Sequence, residues 1–361
     1  MTEIRVVLCP HCNTATRGMR VDPNRCAHCK RPLHGFNEAQ SALYKPKSGE
    51  LKRLMKQEET PENLRDLAKQ LCQDIKEAAA EREKPKPKVK WAPESSRHML
   101  EICVMDAHIG KLAWSEETGE NYDIKIATER VLTAVDDLLE QSRLFSTVTK
   151  IVLPWGNDFF HYDTLTGTTT AGTPQDRDSR YQKMFRCGRA LASEVVQKCA
   201  AIAPVELVVV PGNHDELSAF HLGEVLAAEF KDDARVDVRN ELTPRKYVHY
   251  GKTLLGYCHG HAEPHAKLPG IMALEEPDLW AASRYREWHL GHLHTSKRTD
   301  SKPVESTNGV RVRVLQSLTG LDNWHAKMGY VGEPGGCEAF VWNHERGLRA
   351  NLFHHLGQRA A

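Results

Sequence analysis

The 361-residue sequence predicts a layered α/β body behind a small, cysteine-rich N-terminal module. Three observations carry this prediction. From about residue 97, apolar runs of strand length alternate with helix-like segments. Towards the C-terminus that alternation gives way to a β-rich stretch. The first 40 residues hold two Cys-x2-Cys pairs, Cys9–Cys12 and Cys26–Cys29, among polar, turn-like sequence that offers little for a core.

Residues 1–40 form the first block. Their two cysteine pairs are separated by 13 residues, the spacing of a structural zinc ribbon. Four thiolates around one tetrahedral zinc let such a segment fold without a sizeable core. His11, His28 and His34 are further candidate ligands, but the four thiolates suffice. Arg17, Arg20, Arg25, Lys30 and Arg31 crowd the module, which suits phosphate contacts. A protein-docking or purely structural role is the alternative.

Residues 41–96 read as a charged helical spacer followed by a basic linker. Thr60 is placed to cap a helix with Pro61 in its first turn, and Leu64, Leu67, Leu71 and Ile75 recur at helical spacing. The alternating prolines of "KPKPKVK" cannot continue a helix and give an extended linker. Residues 1–90 carry 19 Lys and Arg against 12 Asp and Glu, whereas the remainder carries 30 against 36. A basic arm on a mildly acidic body suits a polyanionic partner; a solvated lysine-rich linker is the plainer reading.

Residues 97–361 form the body. "HMLEICVMD", "KIVLPWG" and "VELVVVPGN" are apolar runs that each end in a polar cluster, with helix-like segments near 123–142 and 179–202 between them. "RKYVHYGKTLLGYCHG" has the pattern of a hairpin, and "EWHLGH", "VRVRVLQS", "CEAFVWN" and "RANLFHH" read as further strands. No apolar run approaches the length of a bilayer span, and the N-terminus lacks the layout of a signal peptide. The ten cysteines therefore read as cytoplasmic thiols or metal ligands; Cys72, Cys103, Cys187, Cys199, Cys258 and Cys337 fall mostly in apolar surroundings and read as packing residues.

The strand ends carry the chemistry. In order they are Asp106-Ala107-His108, Gly156-Asn157-Asp158, Gly212-Asn213-His214-Asp215, His259-Gly260-His261 and Gly291-His292-Leu293-His294. One such cluster is ordinary turn chemistry. Five of them, each behind an apolar run and beside glycines that let backbone approach a ligand, are not.

These five motifs, in this order, resemble the calcineurin-like metallophosphoesterase superfamily over about residues 98–300. "GNDFFH", Gly156–His161, is similar to the Gly-Gly-Asp-Leu-Phe-His stretch of DNA double-strand-break repair nucleases. The resemblance implies a four-layer αββα sandwich with two metals at strand ends. It implies that Asp106, His108 and His294 hold the first metal and Asn213, His259 and His292 the second, with Asp158 bridging. His214 would then be the catalytic imidazole and Asp215 its orienting partner. The mixed nitrogen and oxygen donors suit manganese foremost, with iron, zinc or nickel as alternatives. Related repair nucleases work as dimers, so a homodimer is a further expectation.

The long stretch "HYDTLTGTTTAGTPQDRDSRYQKMFRCGRA" is a candidate substrate loop. His161, Asp163, Arg177 and Arg180 are its candidate phosphate contacts, with His261 on the facing motif; a loop held by its own Asp–Arg pairs is the alternative. Trp324 and His325 are candidates for the mouth of the site or for the core. Together these readings give a two-metal phosphodiesterase acting on nucleic acid, a DNA exo- or endonuclease. A phosphoesterase of small nucleotides, cyclic nucleotides or phosphoproteins, and a non-catalytic nucleic-acid adaptor, are the competing readings.

Overall fold

Two short strands, β1 (Val6–Leu8) and β2 (Ala15–Arg17), pair antiparallel in the first of two units, Met1–Asp74. Leu8 pairs with Ala15. The computed structural model describes residues 6–8, 15–17, 69, 73, 97–144, 148–292, 304–320, 327 and 335–356. Cys9, Cys12, Cys26 and Cys29 lie outside the described residues, as does most of the spacer, of which Lys69 and Gln73 are helical and exposed.

The second unit, Ile75–Ala361, is a mixed α/β structure with two sheets. Four strands of the first sheet run parallel: β3 (His98–Cys103), β4 (Val148–Gly156), β5 (Val205–Val210) and β6 (Val236–Arg239). On the other side of β3, β12 (Gly336–Asn343) and β13 (Gly347–His355) extend the sheet antiparallel. Following the short α1 (Ser115–Thr118), three long helices make the crossovers: α2 (Ile124–Arg143), α3 (Tyr181–Ala200) and α4 (Glu216–Phe230). Asp123 starts α2 by accepting a hydrogen bond from the Ile126 amide, and Arg143 suits the negative end of that helix.

Side chains alternate across each strand, and here both faces are apolar. Leu100 and Ile102 of β3, Ile151 and Leu153 of β4, and Leu207 and Val209 of β5 join the cluster under the crossover helices, with Val131, Val135, Leu138, Leu191 and Val195. Met99, Cys103, Val152, Val208 and Val210 point the other way, into a second cluster shared with Val248, Leu255 and Tyr257 of the other sheet. This explains why these strands read as continuous apolar runs. Burial of each such side chain contributes roughly 1.5–3 kcal/mol.

The second sheet comprises β7 (Lys246–Tyr250), β8 (Thr253–Cys258), β9 (Tyr285–Leu290), β10 (Val304–Thr307) and β11 (Val310–Val314), in the order β10-β11-β9-β8-β7. Within it β8 and β9 are parallel neighbours, while β7–β8 is the antiparallel hairpin expected from the sequence. A third cluster joins Leu254, Cys258, Trp288 and Leu290 to Leu268 and Met272 of α5 (Leu268–Glu275), which α6 (Pro277–Ala282) follows. Among the described residues, no helix is long and apolar enough to cross a membrane.

Candidate metal centre

Parallel neighbours deliver their C-terminal ends side by side. In the first sheet, β3 leads to Asp106 and His108, β4 to Asn157 and Asp158, and β5 to Gly212, Asn213, His214 and Asp215. In the second, β8 leads to His259 and β9 to His292. The two sets meet across the gap between the sheets. The His292 amide donates to both Asp106 oxygens at 3.2 and 3.1 Å, and His259 Nε2 lies 3.0 Å from Asp158 Oδ2.

The backbone is strained where it turns into the site. Among the described residues six non-glycines have positive φ, and five of them are Asp106, His108, Asn157, Asp158 and His292. Such conformations cost on the order of 1–3 kcal/mol each and persist where the surroundings hold them. Glycine is required at two neighbouring positions. A Cβ on Gly212 would lie 1.9 Å from Asp158 Oδ1, and one on Gly291 would lie 2.7 Å from Asp106 Oδ2. Each glycine lets a second loop close on a carboxylate.

The donor atoms form overlapping groups. Asp106, His108 and Asp158 bring ligand atoms within 4.8 Å of one another, and so do Asp158, His259 and His292. Asp158 is common to both. Around His259 Nε2 lie Asn213 Oδ1 at 2.9 Å, Asp158 Oδ2 at 3.0 Å and His292 Nδ1 at 3.2 Å. One ring N–H can satisfy only one of these three, which leaves lone pairs facing each other. A divalent cation satisfies all four at once, because donors sharing an ion at ~2.1 Å sit about 3 Å apart. The donor set therefore fits a metal.

The electrostatics point the same way. Burial pushes the Asp106 carboxyl up to about 7 against the pull of His259, and Asp158 adds to the rise. Burial also opposes charge on His259, but Asp158 outweighs it and raises the ring to about 9. Asp158 is correspondingly held well below the usual carboxylate range, its burial offset by His259 and then His214. Burial, then the charge of His259, holds His292 down to about 4, so its ring is neutral with a lone pair to offer. Two buried carboxylates facing one another are a liability that a cation between them relieves.

Three histidines cluster against the first of these donor groups. His108 Nδ1 lies 3.1 Å from His161 Nδ1, and the His214 ring stacks 5.5 Å from His161 and edge-on 4.8 Å from His108. His214 Nδ1 is 2.9 Å from the His161 carbonyl, which can only accept, so Nδ1 carries the proton and Nε2 faces Asp158 at 4.0 Å. His261 is exposed beside them, its ring 5.4 Å from His259 and 5.9 Å from His292.

The loop residues act differently from the sequence expectation. Asp215 does not orient His214. It is fully buried, burial and then Asp158 push it up to about 8, and its oxygens accept from the amides of Gly212 at 2.9 Å and Phe160 at 3.0 Å. It ties the β4 and β5 loops together. Asp163 is likewise engaged within the protein, accepting from the Leu217 and Ser218 amides at 2.9 and 2.8 Å and from the Ser218 hydroxyl at 2.6 Å. Arg177 lies over Gly167 and donates to the Leu165 carbonyl at 3.0 Å, which fastens its own loop. Arg180 is exposed at the N-cap of α3, where its side chain meets no hydrogen-bonding or ionic partner among the described residues.

Two supports escaped the sequence reading. Ser317 donates to the Asp106 carbonyl at 3.0 Å, and buried Lys111 donates to the Gly320 carbonyl at 2.6 Å, which binds the segment after β11 to the first motif. The dipeptides around them carry no local signal. His294, Trp324 and His325 lie outside the described residues. No protein-family model matches the chain, and a search of curated proteins finds no match.

Proposed function

We propose that the second unit is a metallophosphoesterase domain, an αββα sandwich of the calcineurin-like kind, that hydrolyses phosphodiester bonds of nucleic acid as a DNA exo- or endonuclease. The observation that carries the reading is the sharing of Asp158 between the Asp106–His108 group and the His259–His292 group. Asp106, His108 and His294 would hold one divalent ion, and Asn213, His259 and His292 the other. Bound there, two such ions would supply Lewis acidity at phosphorus and would lower the pKa of water towards neutrality.

The chain's own residues supply the rest. Asp106 and Asp158 return two negative charges to a centre that two divalent ions would bring to four positive, so an anionic diester is drawn in. His214 keeps its Nδ1 proton on the His161 carbonyl, so Nε2 is the atom that exchanges a proton with the departing oxygen. Asp215 holds the two loops that carry Asp158 and His214 at fixed separation. The four cysteines of the N-terminal module would hold one zinc, as their spacing suggests, and their arginine-rich surroundings suit a nucleic-acid contact.

The test is an assay of the full-length protein with manganese on single- and double-stranded DNA, beside chromogenic phosphodiester and phosphomonoester substrates. Metal-dependent cleavage of DNA is expected. Cleavage of the small diester without action on DNA would move the reading to a small nucleotide, and DNA binding without turnover of anything would make the chain an adaptor.

A further inference from the structure

At the end of the second unit opposite the metal centre, a cleft of about 380 Å³ opens between the turns that precede the strands. Arg97, just before β3, lines it together with Thr149 and Lys150 at the start of β4, His249 and Tyr250 at the end of β7, and His344 in the β12–β13 turn. At ~3.3 Å per strand residue, Lys150 lies on the order of 20 Å from the far end of β4, where the metal centre begins. Of these six side chains, four are cations or imidazoles, two are hydroxyls and none is a carboxylate. Among the described residues, two acids beside the cleft are engaged: Glu206 bridges Lys150 and Arg239, and Glu345 accepts from His344 Nδ1 at 2.7 Å.

The cleft is held open by backbone. The Lys252 amide donates to the His344 carbonyl at 2.8 Å, and the His344 amide donates to the Arg97 carbonyl at 3.2 Å. Tyr250 packs edge-on against the His344 ring at 5.4 Å. The cationic groups therefore cannot spread apart by moving their turns. Two polar atoms are also left over: His249 Nε2 and the Tyr250 hydroxyl are buried and meet no hydrogen-bond partner among the described residues. Orphaned buried polar atoms are rare, and a missing ligand is one of their ordinary explanations. Burial, then the charges of His344 and Lys252, hold the His249 ring below its usual pKa, a crowding that an anion relieves.

The geometry points to a second anion site in this cleft, one that binds a phosphate group between Arg97, His249 and His344, with Tyr250 and Thr149 as hydroxyl contacts. A tetrahedral oxyanion uses donors from several directions, and these residues reach the cleft from four separate stretches of the chain. The volume also suits a phosphate carried on a small organic body, so free phosphate and a mononucleotide are both eligible sources. The site stands on its own residues, whatever the metal centre hydrolyses.

The test is a titration of the full-length protein, labelled with ¹⁵N at histidine, followed by the ring resonances of His249 and His344. Inorganic phosphate should shift both rings saturably, and His249→Gln or Arg97→Gln should weaken that response at least tenfold while circular dichroism stays unchanged. A mononucleotide that saturates at a tenfold lower concentration than phosphate identifies carrier-borne phosphate as the ligand; parity identifies free phosphate. A flat titration in the unsubstituted protein overturns the site. So does an equal response to the unphosphorylated nucleoside.

Discussion

In the proposed hydrolase, His214 and Asp158 would divide two tasks between them. His214 is anchored through Nδ1 on a carbonyl and leaves Nε2 towards the centre, so its loss should remove a proton donor and no ligand. His214→Ala is expected to keep its full metal content, measured by elemental analysis, while turnover falls about 10²–10⁴-fold. Loss of metal in that variant would place the ring among the ligands. Asp158 belongs to both donor groups and also accepts from the His214 amide at 2.8 Å. Asp158→Ala should therefore lower metal content and rate together; a variant with full metal and reduced rate would end its proposed bridging role. The place of both residues at strand ends was legible in the sequence, because their motifs follow apolar runs directly and begin with Gly156 and Gly212, where the backbone makes its close approaches. The parts played by Asp163 and Asp215 were not. Their partners lie 55 residues away along the chain, in Ser218 and Phe160, and only tertiary approach brings those amides into reach.

At the scale of the element, the start of α4 decides how well the His214 turn is held. Its N-cap residue, Asp215, makes no side-chain cap, and the free amides of the first turn are served from outside by Asp163. This carboxylate is buried and also takes hydrogen bonds from the hydroxyls of Ser218 and Thr170. Asp163→Ala should cost about 2 kcal/mol, a cap loss combined with orphaned buried donors. The measurements are the thermal midpoint and amide exchange in the first turn of α4; unchanged protection there would show that another group supplies the cap. Helices expected near 123–142 and 179–202 are Ile124–Arg143 and Tyr181–Ala200, because long stretches at period 3.6 leave little ambiguity. The β10–β11 hairpin was not read, although its Asn308-Gly309 turn, with both φ positive, is a strong two-residue hairpin signal. The sequence did place a strand at β11, inside "VRVRVLQS", but β10 is four residues long and mostly exposed, so no apolar run marked the partner that completes the hairpin.

At the scale of the whole chain, charge and burial make separate demands. The N-terminal arm holds the positive surplus and the body the negative one, so on the proposed function the arm is where a polyanion would gain affinity. Removing residues 1–92 should leave hydrolysis of a small diester unchanged, weaken binding to long DNA, and flatten its dependence on salt; unaltered affinity and slope would strip the arm of that role. The body, for its part, closes on a buried polar chain that joins its two sheets. Glu101 of β3 accepts from His289 Nδ1 of β9 at 2.7 Å and from Trp342 Nε1 of β12 at 2.8 Å. Beyond the ring, Glu287 lies 3.6 Å from His289 Nε2 and holds Arg311 and Arg313 at 2.9 and 2.6 Å. Burial opposes a charge on His289, but Glu101 and Glu287 outweigh it and raise its pKa from 6.5 to about 9. Because the folded value is the higher, the protonated ring stabilises the fold fully below about pH 6.5, and that contribution is lost as the pH rises through about 9. A shift of this size corresponds to on the order of 3 kcal/mol. Denaturant midpoints taken from about pH 6 to about pH 10 should fall across this window in the unsubstituted protein. His289→Gln cannot titrate, so it should be less stable at the acidic end, where Glu101 has lost a charged partner, and its midpoint should change less with pH. Parallel curves for the two proteins would assign the alkaline loss to other groups and leave the buried chain as packing alone.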